Sequence, residues 1–228
     1  MLRARHSRLP HRPLSRAAFT MIELIVVIAI IALLITLASL GTTRLIGGAR
    51  LLEATALLQD QLELAARRAS IEDREIELRF YQLPDPASAP LFTQFQFFAY
   101  TTPLDPAHPD YVSPGTPSFS ALATPLSPPI NLPAGVAFFT PDPHSTLLTD
   151  PSRTPDPPQV DLGLDAPVPV RRFLLTPSGG TDLAAGTSWT LTLVDARHAL
   201  TGNTNLPPDF VTLQLDPTTA RIRRFRPD

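Results

Sequence analysis

Residues 16–24 read Arg16-Ala17-Ala18-Phe19-Thr20-Met21-Ile22-Glu23-Leu24, and the run continues to Leu40 as IVVIAIIALLITLASL. Leu24 to Leu40 is 17 residues without a charge, a Gly or a Pro. A helix over it covers roughly 25 Å, at the low edge of a bilayer core. Extending it back over Phe19 to Ile22 completes a span but takes in Glu23. A buried soluble helix is the plain alternative. A segment apolar on every face and preceded by arginines is instead a membrane signal.

Upstream, residues 1–18 hold Arg3, Arg5, Arg8, Arg12 and Arg16 and no acid, a charge of +5. The remaining chain has 14 basic and 21 acidic residues, net −7, which the overall −2 conceals. The positive-inside rule keeps residues 1–18 in the cytoplasm and sends the chain after Leu40 outward. A cleaved secretory signal is a further alternative. Against it, the apolar run exceeds a usual signal core; in its favour, a small-x-small cleavage site follows at Ala38-Ser39-Leu40-Gly41, although a poor version of one. Glu23 is the unusual residue: an acid inside such a helix costs about 2.5–3.5 kcal/mol. It needs a cation, and the apolar run supplies none.

The segment Ala18-Phe19-Thr20-Met21-Ile22-Glu23 resembles the type IV prepilin cleavage and methylation motif, a small residue followed by Phe-Thr-x-x-Glu. The resemblance implies that a prepilin peptidase cuts between Ala18 and Phe19 and methylates the new amine of Phe19. It also implies that Glu23 neutralises the terminal amine of a neighbouring subunit during filament assembly. Opposite charges in low dielectric attract strongly where each alone is costly. The family usually has Gly before the cut, and here Ala18 stands in its place.

Beyond Leu40, Leu51, Ala54, Leu58, Leu62, Ala65 and Ala69 recur at three- and four-residue steps, which predicts an amphipathic helix to about Ser70. Gly47-Gly48 is a candidate bend. After it, period-two alternation predicts strands at 75–80, 92–100, 172–176, 189–194, 211–216 and 219–225, with Ile76, Leu78 and Phe80 on one face. One helix followed by about six such strands implies an α+β chain with an antiparallel sheet. Most of the 27 prolines fall in 101–133 and 140–169, which read as long exposed loops because Pro cannot donate to a ladder. The expected organisation is a leader at 1–18, a transmembrane and amphipathic helix at 19–72, and a pilin-like β domain at 73–228.

The C-terminal half resembles the minor pseudopilin H and FimT group more diffusely. The resemblance rests on Leu64-Ala65-Ala66-Arg67, the strand Glu77-Leu78-Arg79-Phe80, the turn Phe173-Leu174-Leu175-Thr176-Pro177-Ser178-Gly179-Gly180, and a closing hairpin with Thr219-Ala220 where the group has Thr-Gly. The layout is also similar to the prepilin-type protein D of the Verru_Chthon cassette. These likenesses imply a minor pilin or pseudopilin of a type IV pilus-like or type II secretion filament. It would be held in the inner membrane with its C-terminal domain in the periplasm, and its partners would be other pilins and the peptidase.

Enzyme chemistry finds no support in the sequence. There is no Cys, and His6, His11, His108, His144 and His198 are scattered without ligand spacing. Asp142, Asp150, Asp156, Asp161 and Asp165 lack the spacing of a calcium loop, so no metal and no cofactor is expected. The closing Arg221-Ile222-Arg223-Arg224-Phe225-Arg226 admits two readings. Arg221, Arg223, Arg224 and Arg226 could pair with DNA phosphates while Phe225 stacks on a base. Alternatively, they protect an edge strand with charge.

Overall fold

The computed structural model describes residues 20–85, 88–100, 106–107, 123–155, 159–162, 164 and 166–227. The expected leader at 1–18, the expected cut at Ala18 and Phe19, and much of the two proline-rich segments lie outside these residues. The chain divides into two units, Met1–Arg44 and Leu45–Asp228.

In the first unit, helix α1 (Met21–Glu72, continuing into the second unit) starts directly after Thr20. Its described apolar side chains are exposed, including Leu24 at 55%, Ile28 at 57% and Ile35 at 63%. A helix showing water this much aliphatic surface on all sides calls for an apolar surrounding. The side chains of residues 37–46 fall outside the described set. Among the described residues, no helix is long and apolar enough to cross a membrane.

The second unit is built on the residues that the helical period selects. Leu51, Ala54, Leu58, Leu62, Ala65 and Ala69 are all buried. The helix continues through Gly47 and Gly48, so the chain does not melt there. Thr55, buried on the same stretch, turns its hydroxyl back to the Leu51 carbonyl at 2.6 Å, which satisfies it locally.

Among the described residues ten strands follow: β1 (Ile76–Asp85), β2 (Ser88–Tyr100), β3 (Ala123–Pro125), β4 (Ile130–Asn131), β5 (Val136–Phe138), β6 (Gln159–Val160), β7 (Val168–Leu175), β8 (Trp189–Asp195), β9 (Val211–Leu215) and β10 (Ile222–Phe225). They form two antiparallel sheets, ordered β3-β2-β1-β7-β6 with β4 also on β2, and β10-β9-β8-β5. The six expected strands are present. The proline-rich segments are a correction, because they are not simply loops: β3, β4 and β6 lie in them and extend the edges of the larger sheet. Short edge strands are where Pro is tolerated, since their outer N–H groups need no partner.

The core lies among the buried stripe of α1, Ile76, Leu78 and Phe80 of β1, and Trp189, Leu191, Leu213 and Leu215 of the smaller sheet. Phe80 sits at its centre, edge-on to Phe138 at 5.3 Å and near Phe95 and Phe173, each at 6.4 Å. The closing hairpin carries Ala220 at φ 52°, the left-handed conformation that Gly adopts without cost. The backbone thus keeps the turn that Thr-Gly would make, although the residue is Ala.

Candidate functional site

The first candidate site is the start of α1. Thr20 and Glu23 form a reciprocal cap. The Glu23 N–H donates to the Thr20 hydroxyl at 3.3 Å, and the Thr20 N–H donates to Glu23 Oε2, also at 3.3 Å. The Thr20 hydroxyl additionally reaches Glu23 Oε2 at 3.4 Å. This is a capping box, satisfying two N–H groups that a helix start otherwise leaves open. Its carboxylate also sits at the favourable end of the helix dipole. The resemblance implies an intermolecular amine as the partner of Glu23, and its own helix supplies these contacts in addition. The box uses no atom of Ala18 or of the amide linking it to Phe19.

The second candidate site is the arginine tail, which forms β10 at an end of the smaller sheet. Register pairs Arg224 with Leu213 and Arg223 with Gln214. Directly opposed residues share a face, so Arg224 lies on the Leu213 side of the sheet and Arg223 and Phe225 on the other. Arg221, Arg223, Arg224, Phe225 and Arg226 are exposed, but the pleat divides those within the strand between two faces. Beside Arg223, the carboxyl of Asp216 is held below its usual range, chiefly by the Thr218 backbone N–H, with a smaller contribution from Arg223.

A third cluster escaped the sequence reading. Glu77, Arg79 and Tyr81 occupy the face of β1 opposite Ile76, Leu78 and Phe80, and they too are buried. Glu77, fully buried, accepts from Arg79 Nε and from the Tyr100 hydroxyl, and from Arg172 Nη1 at 3.3 Å. The Arg79 guanidinium lies 3.9 Å from the centre of the Phe98 ring. The Tyr81 hydroxyl donates to Gln96 Oε1 at 3.0 Å, and Gln96 passes a bond to the Ser127 carbonyl at 2.8 Å. Burial works most strongly against the Arg79 charge, yet the Glu77 carboxylate outweighs it and holds the pKa of Arg79 above its ordinary value. Burial lifts the Tyr81 phenol to about 12, and burial followed by Glu77 lifts Tyr100 as well. At the edge of the cluster, Glu75 is pushed up to about 7 by burial and then by Asp182, against the pull of Arg172. Its Oε2 is buried without a partner. The available signal was the alternation Glu77-x-Arg79-x-Tyr81, but a half-exposed strand gives the same pattern.

Two of the five histidines, His144 and His198, flank the buried Phe139 ring at 5.5 and 5.6 Å. His6, His11, His108, Asp156 and Asp165 lie outside the described residues. Among the described residues no group of three or more His, Cys, Asp or Glu is placed to hold a metal ion.

Residues 14–39 match a family described as the prokaryotic N-terminal methylation motif. The chain carries this methylation motif at its N-terminus. No curated protein matches the chain in sequence. Among solved structures it is similar to the minor pseudopilin EpsH from the type 2 secretion system of Vibrio cholerae. That similarity is at 12% identity and a TM-score of 0.36, covering 77% of this chain and 94% of that one.

Proposed function

We propose that this chain is a minor pilin or pseudopilin, a structural subunit of a type IV pilus-like or type II secretion filament. The carrying observation is the methylation motif over residues 14–39, with Glu23 in the first turn of a helix whose described apolar side chains are exposed. In this reading prepilin peptidase removes residues 1–18, Phe19 becomes an N-methylated terminus, and the apolar helix holds the subunit in the inner membrane. The C-terminal domain then lies in the periplasm. Two unit charges about 4 Å apart attract by about 4 kcal/mol at an effective dielectric of 20, enough to favour docking of the Phe19 amine on Glu23 of a neighbour. Intact-mass and N-terminal sequencing of protein purified from membranes tests the processing: a chain beginning at N-methyl-Phe19 is expected, and one retaining Met1 refutes it.

A second reading gives the tail to DNA uptake, supported by the exposure of Arg221, Arg223, Arg224, Phe225 and Arg226. It expects a salt-sensitive gel shift that disappears when all four arginines become Gln. The net −7 of the chain after residue 18 opposes nucleic acid in general and leaves the local charge to do the work.

A further inference from the structure

We propose that the free edge of β10 receives an extended acidic segment of another protein, added antiparallel or parallel as a further strand of the smaller sheet. Among the described residues β10 pairs only with β9. The Asp216 N–H donates to the Arg221 carbonyl at 2.9 Å, which makes that pair a hydrogen-bonded one. Such pairs alternate along an antiparallel ladder. Arg223 opposite Gln214 and Phe225 opposite Thr212 therefore take the inward bonds. The N–H and C=O groups of Ile222 and Arg224 point the other way, to the open edge, where an incoming backbone finds its ladder.

The charges select the occupant. Arg223 stands on one face of the sheet and Arg224 on the other, so acids on both faces of an added strand would meet an arginine. The same arginines oppose a second copy of β10, because like charges facing each other across strands destabilise the pair. The edge thus discriminates by repulsion as well as by attraction. A nucleic-acid backbone is followed best by cations presented on one surface, and the pleat of β10 separates them. The inference goes beyond the filament reading and does not depend on processing or assembly.

The full-length chain in detergent micelles is titrated with a labelled heptapeptide Val-Glu-Glu-Val-Glu-Glu-Val, which as a strand carries glutamates on both faces, and in parallel with a labelled DNA duplex, both read by fluorescence anisotropy. Arg224→Gln removes one charge. Arg224→Pro removes that charge and the outward N–H, while the β9 ladder keeps its bonds. The peptide is expected to bind, with affinity falling about threefold in Arg224→Gln. A further fall of about fivefold is expected in Arg224→Pro, whose fold is checked by circular dichroism. A peptide of the same sequence N-methylated at every residue, which leaves neither edge able to donate, should lose binding by a similar factor when offered to the unchanged protein and does not depend on any variant folding. Equal binding by both peptides, equal binding by both variants, binding of DNA but not peptide, or binding of neither overturns the proposal.

Discussion

Glu77 stands fully buried among Arg79, Arg172 and Tyr100. Two guanidinium groups converge on one carboxylate, so its removal leaves buried positive charge without compensation. Glu77→Ala is expected to cost about 3–5 kcal/mol in urea unfolding, the usual consequence of breaking a buried pair from one side. Glu77→Gln should cost less, because its amide oxygen still accepts from Tyr100. Glu75 acts in the opposite sense. The folded chain holds its proton up to about pH 7, while the unfolded chain releases it near the ordinary 4.5. Between those values the folded state binds more protons, so stability falls as pH rises through the window. Melting temperature measured across that range should decline in the parent, and Glu75→Gln should flatten the decline. A slope that survives in the variant would assign it to other groups.

At the scale of elements, the buried stripe of α1 is what joins helix to sheets in the second unit. Leu58 is fully buried within it, and Leu64, on the other side of the same helix, is 60% exposed. Leu58→Ala should cost about 2–5 kcal/mol, and Leu64→Ala should stay within about 0.5 kcal/mol. A similar loss at both sites would mean that the helix is not packed in this register. The contrast was legible beforehand because a 3.6-residue period leaves little freedom: Leu51, Ala54, Leu58, Leu62, Ala65 and Ala69 fall on one side of any regular helix. Strands were legible for a similar reason, since Ile76, Leu78 and Phe80 alternate with polar residues. β3, β4 and β6 were not, being two or three residues long and set among prolines. Their pairing is decided by the neighbouring strand rather than by their own composition.

For the molecule as a whole, the filament reading places its weight on Glu23. The capping box with Thr20 gives this residue a local role, stabilising the helix start by roughly 1 kcal/mol. Glu23→Gln keeps a capping side chain and removes the charge. It is therefore expected to leave the chain membrane-bound and cut before Phe19, but to abolish its recovery in sheared filament fractions. Normal recovery would reduce Glu23 to a cap. A chain that is neither cut nor retained in membranes would instead point to a failure of insertion.

The linear order of residues was sufficient for the N-terminal motif, the charge asymmetry about it, the helix with its buried stripe, and the main strands. Each rests on local chemistry or on a period imposed by backbone geometry. Tertiary structure alone decided the split into two sheets, the burial of both faces of β1 and the meeting of Glu77 with Tyr100 and Arg172, residues 23 and 95 positions away. It also divided the tail arginines between two faces and, among the described residues, left one edge of β10 unpaired. Those outcomes depend on which strands become neighbours, and a strand's own sequence carries its period but not the identity of what lies beside it.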